Sequence, residues 1–201
     1  MQKKHMKDRY LFLDIDGVLN TLDYAKACQW KDGKVRDEYG ALFDPYTVEN
    51  LRYILDSTNV RLVVSSSWRK NGVEWMKKLW RERNLPGEIY GLTPVISKVK
   101  FTNIEDGTSS STDLPYAKRG LEIREWLRKH PEKDGVSYEY AIIDDEDDFL
   151  IEQSEHLVIT EAETGLIREV ADRVLKVFGS TPDTKFTTNP AQRYRDNIIL
   201  S

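Results

Sequence analysis

Four short apolar runs along the chain predict buried β-strands. They cover residues 10–13, 60–64, 140–143 and 157–159. Because apolar side chains follow one another in these runs without alternation, we expect each strand to be covered on both of its faces.

Apolar residues between and after these runs recur at helical spacing. The predicted helices cover residues 47–57, 72–84, 118–130 and 165–178. Strands that alternate with helices indicate an α/β fold, a three-layer doubly wound sheet of parallel strands with helices on both faces. We expect one domain over residues 1–179. The polar segment 100–115 predicts a mobile loop or flap, and the polar residues 180–201 predict a loosely attached tail.

Composition narrows the class of protein. The 201 residues are 39% hydrophobic and 32% charged, as in globular proteins. The longest apolar runs are far shorter than the roughly 18 residues that cross a bilayer, so we expect no membrane partner. The single Cys28 excludes an internal disulfide and a thiolate zinc cage, and three widely spaced histidines argue against a histidine metal site. This cysteine usage fits a cytoplasmic location.

Charge is distributed unevenly along the chain, although the net charge is only −4. Seven basic residues fall within 61–84, whereas nine acidic residues and no Lys or Arg fall within 144–163. These segments are either solvated helix faces or a basic and an acidic end of the fold.

Two carboxylates follow the first predicted strand. Asp14 and Asp16 stand two residues apart, which in an extended chain turns both side chains toward one side, and Gly17 lets the backbone turn away. Such a pair can divide catalysis between a nucleophile or metal ligand and an acid or base. The same pattern also occurs in calcium loops and in plain turns.

Polar residues at three other element ends extend this candidate site. Ser65 follows the second strand and could bind a phosphoryl oxygen or only cap a turn. Lys118 and Arg119 begin a helix, where a cation opposes the helix dipole unless it faces an anion. Asp144 and Asp145 open a run of five acids, which either surrounds a cation such as Mg²⁺ or forms an exposed turn.

The carboxyl ends of parallel strands lie at one edge of a sheet, so we expect these groups to meet there. Together they supply a nucleophile, an acid or base, a hydroxyl, a cation for phosphoryl oxygens and a carboxylate cluster for Mg²⁺. Those are the recurring parts of phosphoryl transfer, in which catalysis is mostly positioning and charge neutralisation.

The four groups resemble motifs I to IV of the haloacid dehalogenase (HAD) phosphohydrolase superfamily. In the family order they are LFLDIDGVL at 11–19, LVVS at 62–65, Lys118 with Arg119, and IIDD at 142–145. Within the superfamily, SSSWR at 65–69, RGLEI at 119–123 and IDDEDD at 143–148 look most like the small HAD domain associated with RNA-repair proteins. They are more distantly similar to the phosphatase half of polynucleotide kinase-phosphatases.

The resemblance implies roles for the carboxylates. Asp14 would be the nucleophile that forms an aspartyl-phosphate, and Asp16 would protonate the leaving group and then activate water. The implied ligands of Mg²⁺ are Asp14, the backbone carbonyl of Asp16 and Asp145, with Asp144 bound directly or through water. The presence of Asp16 favours phosphate ester hydrolysis, because dehalogenating members of the superfamily lack that acid.

The resemblance also implies contacts with the substrate. Ser65 would neutralise the phosphoryl oxygens together with Lys118 or Arg119, a choice that the pattern leaves open. The residues assigned to substrate binding are Gly17, Ser66 and Arg69.

The connections that carry cap domains in other superfamily members are short in this chain. Residues 20–46 and 85–117 cannot form a large cap, which predicts a minimal cap and an open site. An open site suits large substrates such as polynucleotide ends or phosphoproteins. The basic segment 61–84, with Trp68, Trp75 and Trp80, would track a phosphate backbone and stack a base, unless its tryptophans only pack and its charges are only solvated.

The predicted function is therefore a Mg²⁺-dependent phosphatase that hydrolyses a phosphate monoester, with a polynucleotide end as one substrate hypothesis. A small-metabolite or nucleotide phosphatase of the same superfamily and a non-catalytic module that binds divalent cations are the alternatives. A receiver-type signalling domain uses similar groups, but its acidic pair comes early in the chain, whereas here that pair comes last.

Overall fold

The structure is a computed structural model that describes residues 8–96, 98–113, 118–130 and 138–182. The described strands are β1 (Asp8–Leu13), β2 (Arg36–Asp37), β3 (Gly40–Ala41), β4 (Arg61–Val64), β5 (Ile89–Leu92), β6 (Lys98–Thr102), β7 (Ser109–Asp113), β8 (Tyr138–Asp144) and β9 (Leu157–Ile159). The described helices are α1 (Leu22–Lys31), α2 (Pro45–Thr58), α3 (Val73–Glu82), α4 (Lys118–Lys129) and α5 (Arg168–Val177), with 3₁₀ turns at Ser67–Asn71 and Ile151–His156.

Five parallel strands form the central sheet in the order β5-β4-β1-β8-β9. The chain therefore adds β4 and β5 on one side of β1 and then adds β8 and β9 on its other side. Such a reversal of strand order opens a crevice at the carboxyl ends of the two strands beside it, here β1 and β8. The α/β fold with a doubly wound parallel sheet is confirmed.

The central strand β1 is buried on both faces, as its continuous apolar run predicts. Leu11 and Leu13 belong to a core that α2, α3 and α5 cover. Tyr10 and Phe12 belong to a second core, which Trp126 and its neighbours on α4 cover. Helices on both faces make the three layers and bury the sheet between them.

The connection 20–46 contains structure that the hydrophobic pattern does not predict. Thr21 caps the N-terminus of helix α1, because its hydroxyl accepts a hydrogen bond from the backbone N–H of Tyr24 at 3.1 Å. None of its residues is buried, so it has no apolar stripe to read in the sequence. A short antiparallel hairpin, β2–β3, follows it.

The segment 100–115, for which the sequence predicts a mobile loop or flap, contains regular structure in its described part. Strands β6 and β7 pair there as an antiparallel hairpin, with Lys98 opposite Asp113 and Thr102 opposite Ser109. Its turn is closed by a hydrogen bond from the Asn103 N–H to the Thr108 carbonyl at 2.8 Å, and Gly107 takes a φ of 70°. The run of serine and threonine residues in this segment does not predict a strand, because serine is a poor strand former. The Asp-Gly pair in the turn does favour a hairpin.

Strand β5 was also absent from the prediction, because it is short and contains Gly91. A Cβ at Gly91 would lie 3.5 Å from Nε1 of Trp126, an ordinary van der Waals contact, so this neighbour does not require a glycine. Of the predicted tail 180–201, all but its first three residues lie outside the described residues. No described helix is both long and apolar enough to cross a membrane.

Candidate active site

Three carboxylates meet at the crevice between β1 and β8. Asp14 directly follows β1, and its N–H donates to the carbonyl of Ile143 at 3.0 Å, which aligns the ends of the two strands. Asp144 is the last residue of β8, and Asp145 follows it. One carboxylate oxygen from each of Asp14, Asp144 and Asp145 lies within 4.8 Å of the others, as metal ligands do.

Gly17 makes room for this cluster. Its φ of 67° lies in the left-handed region, and a Cβ at this position would stand 2.1 Å from Oδ2 of Asp145. The Thr160 hydroxyl donates to the Gly17 carbonyl at 2.9 Å and fixes the turn. The structure thus places Gly17 against the Asp145 side chain. The predicted contact of Gly17 with a substrate stays a prediction.

The surroundings of the cluster favour a bound cation. Burial raises the pKa of Asp14 to about 6, and burial together with the charge of Asp14 raises the pKa of Asp144 to about 8. Oδ1 of Asp14 and Oδ2 of Asp144 are buried and accept no hydrogen bond from any described residue. Unsatisfied buried carboxylate oxygens are costly, and a hard cation such as Mg²⁺ would satisfy both. The residues present therefore fit the predicted metal.

Asp16 has very different surroundings. Its carboxylate is exposed and accepts hydrogen bonds from Nδ2 of Asn20 at 2.7 Å, from the Ser67 hydroxyl at 3.4 Å and from Nε1 of Trp68 at 3.0 Å. Trp68 is itself fixed against Phe43, with ring centroids 5.5 Å apart. No local pattern predicts Trp68 as a partner of Asp16, because the two residues are 52 positions apart.

The two serines after β4 face different neighbours. The Ser65 hydroxyl accepts a hydrogen bond from the Thr93 hydroxyl at 3.5 Å. The Ser66 hydroxyl bonds to the Asp14 carboxylate and so opposes the rise of its pKa, and it also accepts a hydrogen bond from the N–H of Trp68. In this arrangement Ser66, rather than Ser65, contacts the carboxylate cluster.

The two basic residues at the start of α4 also have different surroundings. Nε of Arg119 lies 3.6 Å from Oδ2 of Asp144, and the positive charge of Arg119 lowers the pKa values of Asp14 and Asp144. The Lys118 side chain is exposed, and its backbone N–H donates to Oδ2 of Asp148 at 3.0 Å. Asp148 thus caps α4 from the acidic run. The structure brings Arg119, and not Lys118, to the carboxylates.

Beneath Arg119 lies a buried ion pair that the sequence did not assign. Glu122 is 1% exposed, and its carboxylate pairs with Nη2 of Arg69 and lies 3.7 Å from Nη1 of Arg119. Glu122 also accepts a hydrogen bond from the N–H of Ile96 at 3.0 Å. The guanidinium of Arg69 is thus engaged with protein groups, and its predicted contact with substrate stays a prediction. The signal for Glu122 was an acid one helical turn after Arg119.

The basic segment 61–84 does not form a bare basic face. Ion pairs engage Arg61, Arg69, Lys77, Lys78 and Arg83. Trp80 is 3% exposed and donates its indole N–H to the Pro86 carbonyl, which leaves it no face on which a base could stack. The role of Trp80 in this structure is therefore packing in the core.

Comparison with known proteins places this site in a family. No curated protein matches the chain. One solved structure, described as a HAD superfamily (subfamily III A) hydrolase from Legionella pneumophila, matches with a TM-score of 0.36 and 12% sequence identity, over 98% of this chain and 92% of that one. Residues 10–171 match the family described as the HAD domain in Swiss Army Knife RNA repair proteins. That match spans all four motifs, and the chain belongs to this family of HAD domains.

Proposed function

We propose that the chain is a Mg²⁺-dependent phosphatase that hydrolyses a phosphate monoester through an aspartyl-phosphate on Asp14. The observation that carries this proposal is the Asp14 carboxylate. It lies at the crevice of a doubly wound sheet, its Oδ1 has no hydrogen-bond partner among the described residues, and Asp144, Asp145 and Arg119 surround it. A nucleophile and its charge-neutralising partners need this arrangement.

Asp14, Asp144 and Asp145 would hold Mg²⁺, with the backbone carbonyl of Asp16 as the fourth protein ligand that the family resemblance implies. When bound, the cation supplies positive charge that offsets the repulsion between the carboxylates and the phosphoryl oxygens.

In the first step, an oxygen of the Asp14 carboxylate forms a bond to phosphorus, and the bond from phosphorus to the ester oxygen breaks. Asp16 donates its proton to that departing oxygen, which leaves as an alcohol. The exposure of Asp16 suits this part, because it can reach a large leaving group and exchange protons with solvent.

In the second step, Asp16 takes a proton from a water molecule as the water oxygen attacks the phosphorus of the aspartyl-phosphate. The bond between phosphorus and the Asp14 oxygen breaks, which releases inorganic phosphate and restores the Asp14 carboxylate. Three hydrogen-bond donors hold the Asp16 carboxylate in place for this proton transfer.

Arg119 is the cation that we assign to the phosphoryl oxygens, because it faces Asp144 while Lys118 is exposed. Ser65 and Ser66 would add hydroxyl donors. Glu122 and Arg69 position Arg119 from below, through the buried ion pair. Lys118 is left free to meet a more distant anionic group of a large substrate.

A phosphorylated RNA end is the substrate that we propose. Membership of a family of RNA-repair domains supports it. The exposed Asp16 also supports it, because the leaving oxygen of a polynucleotide end must reach the acid without entering a closed chamber.

The test is Mg²⁺-dependent release of phosphate from 3′- and 5′-phosphorylated oligoribonucleotides, mononucleotides, sugar phosphates and an aryl phosphate, with Asp14→Asn as the control. The proposal expects release that needs Mg²⁺ and is fastest from oligonucleotide ends. Release from small esters alone would contradict the RNA-end substrate. A folded protein that binds Mg²⁺ and releases phosphate from none of these substrates would overturn the phosphatase.

A further inference from the structure

Arg83, which follows α3, is a mostly buried cation to which the proposed mechanism gives no part. Its side chain is 11% exposed, and its guanidinium donates to both carboxylate oxygens of Asp37, from Nε at 3.0 Å and from Nη2 at 2.6 Å. Nη2 also donates to the Gly40 carbonyl at 3.3 Å. Asp37 and Gly40 are paired across the β2–β3 hairpin. Because a two-pronged ion pair fixes orientation as well as distance, Arg83 fastens this hairpin to the end of α3.

The indole of Trp68 lies inside the same packing. The guanidinium carbon of Arg83 is 4.4 Å from the centre of the Phe43 ring and 5.8 Å from that of Trp68. A Cβ at Gly40 would stand only 3.1 Å from Cη2 of Trp68, so the backbone of the hairpin lies directly against the indole. The hairpin that Arg83 fastens is therefore one wall of the space that Trp68 occupies.

Trp68 connects this packing to the acid of the proposed site. Its Nε1 lies 3.0 Å from each carboxylate oxygen of Asp16. Asp16 itself is exposed and lies in a turn, so its orientation depends on such partners. A proton donor acts efficiently only when it points at the departing oxygen, and a tilt of the indole would turn the carboxylate away.

The ion pair with Asp37 does not by itself explain where the guanidinium lies. Nη1 of Arg83 is buried and donates to no described residue, and an orphaned buried donor costs free energy. The same pair at the surface could form with every N–H group in water. A costly position against the ring that holds the acid indicates a part in orienting that ring.

We propose that Arg83 is a positioning residue for the proton-transfer steps of the reaction. Through Asp37 and Gly40 it holds the hairpin against Trp68, and Trp68 holds the Asp16 carboxylate toward the leaving group. This inference rests on the proposed function and adds to it a residue that acts without touching the reacting atoms. It also gives part of the basic segment 61–84 a role inside the protein rather than on a nucleic acid.

Kinetics with two leaving groups test the proposal. Arg83→Met removes the guanidinium and keeps an unbranched apolar stem. Single-turnover formation of the phosphoenzyme is measured with a phosphorylated oligoribonucleotide, whose leaving group is an alkyl alcohol, and with an aryl phosphate, whose leaving phenol needs less protonation. Loss of about one hydrogen bond should slow the oligonucleotide reaction roughly two- to tenfold and the aryl reaction less. A merely structural role would slow both equally.

Two further variants show the route of the effect. Arg81→Met makes the same change at an exposed arginine of α3 and should leave both rates as they are. Arg83→Met should slow the oligonucleotide reaction no further in the Trp68→Phe background, because Arg83 acts through the indole N–H that this background lacks. A full additional loss there would contradict the proposed route.

The Trp68 indole N–H provides a readout that needs no turnover. In the ¹⁵N-labelled protein, which has five tryptophans, Trp68→Phe identifies the Trp68 indole signal. In Arg83→Met this signal should shift, and its proton should exchange with solvent about two- to tenfold faster. In Arg81→Met it should stay in place.

Equal losses for the two esters, or an unmoved Trp68 signal in Arg83→Met, would overturn the proposal while phosphate release by the wild type continued. That failure is distinct from failure of the proposed phosphatase, in which the wild type itself releases no phosphate. If Arg83→Met does not fold, Arg83→Lys decides, because lysine keeps the charge but lacks the planar fork that bonds both oxygens of Asp37. Arg83→Lys should show the same difference between the two esters.

Discussion

Asp14 and Asp16 are two residues apart in the sequence, yet they differ in almost every physical respect. Asp14 is 6% exposed, has a raised pKa and leaves one oxygen without a hydrogen-bond partner among the described residues. Asp16 is exposed, and three side chains donate hydrogen bonds to it. Asp14 lies at the end of β1, and Asp16 lies in the turn that follows.

This difference explains how one short motif can supply two chemical functions. A buried carboxylate among other acids needs a cation and presents a bare oxygen to an electrophile. An exposed carboxylate can pick up and deliver protons and can meet a bulky leaving group. The environment, rather than the residue type, assigns the nucleophile and the acid.

The largest effect should come from the buried carboxylate. Asp14→Asn removes the nucleophile and one metal ligand, so kcat should fall on the order of 10⁴-fold or more. Steady-state phosphate release under Mg²⁺ measures this loss. A variant that keeps more than a few per cent of wild-type kcat would show that Asp14 does not carry the phosphoryl group.

The exposed carboxylate should matter less, and its importance should depend on the substrate. Asp16→Asn removes the proton donor, so kcat should fall by roughly 10²- to 10⁴-fold with alkyl phosphates. An aryl phosphate with an acidic leaving phenol needs less protonation and should lose less in the first step. An equal loss for both substrates in single-turnover formation of the phosphoenzyme would contradict the role of Asp16 as acid.

The buried ion pair beneath the site should contribute mainly to stability. Glu122→Gln leaves the Arg69 guanidinium buried without its carboxylate, and the free energy of unfolding should fall by about 3–5 kcal/mol. Urea denaturation measures this change. Glu125→Gln is the matched control on α4, because its partner Arg128 is exposed and surface pairs contribute little. Equal effects of the two changes would contradict the account of Glu122.

The indole that holds Asp16 should have a smaller effect. Trp68→Phe keeps an aromatic ring against Phe43 but removes the N–H donor. One hydrogen bond of about 0.5–1.5 kcal/mol corresponds to a two- to tenfold change, which should appear in kcat rather than in KM. A change confined to KM would indicate that Trp68 contacts the substrate instead.

A further effect should be a dependence of stability on pH and on Mg²⁺ together. Burial raises the pKa of Asp14 to about 6 and that of Asp144 to about 8, from 3.8. The folded protein without metal therefore keeps protons that the unfolded chain has released, and its stability should fall as pH rises from about 4 to 8. Mg²⁺ binds the deprotonated cluster, so it should raise Tm more at pH 8 than at pH 5. An equal rise at both values would contradict a site at these carboxylates.

The buried side of the site could be predicted from sequence because it depends on strands. Continuous apolar runs ending in Asp14, Ser65 and Asp144 identify the strand ends, and parallel strands bring such ends to one edge. The resemblance to the four HAD motifs also accounts for the order in which these strand ends occur along the chain. The strand-end pattern indicates these carboxylates, and the family resemblance implies that they are ligands of one metal ion.

The exposed side depends on contacts that a local pattern does not contain. The approach of Trp68 to Asp16, the choice of Arg119 over Lys118 and the pairing of Arg69 with Glu122 are all set by tertiary packing. Helix α1 is not predicted from the sequence, because none of its residues is buried. Its residues nevertheless line a cavity beside Asp16. Elements that contribute to a surface rather than to a core leave a weak periodic signal.

The most direct measurement is chemical trapping of the phosphoenzyme. Borohydride reduces an aspartyl-phosphate to homoserine, which peptide mass spectrometry locates along the chain. With Mg²⁺ and substrate, homoserine should form at position 14 and at no other carboxylate, and it should be absent when Mg²⁺ is removed. Turnover without homoserine at position 14, or with homoserine at Asp16 or Asp144, would contradict the central claim that phosphoryl transfer passes through Asp14.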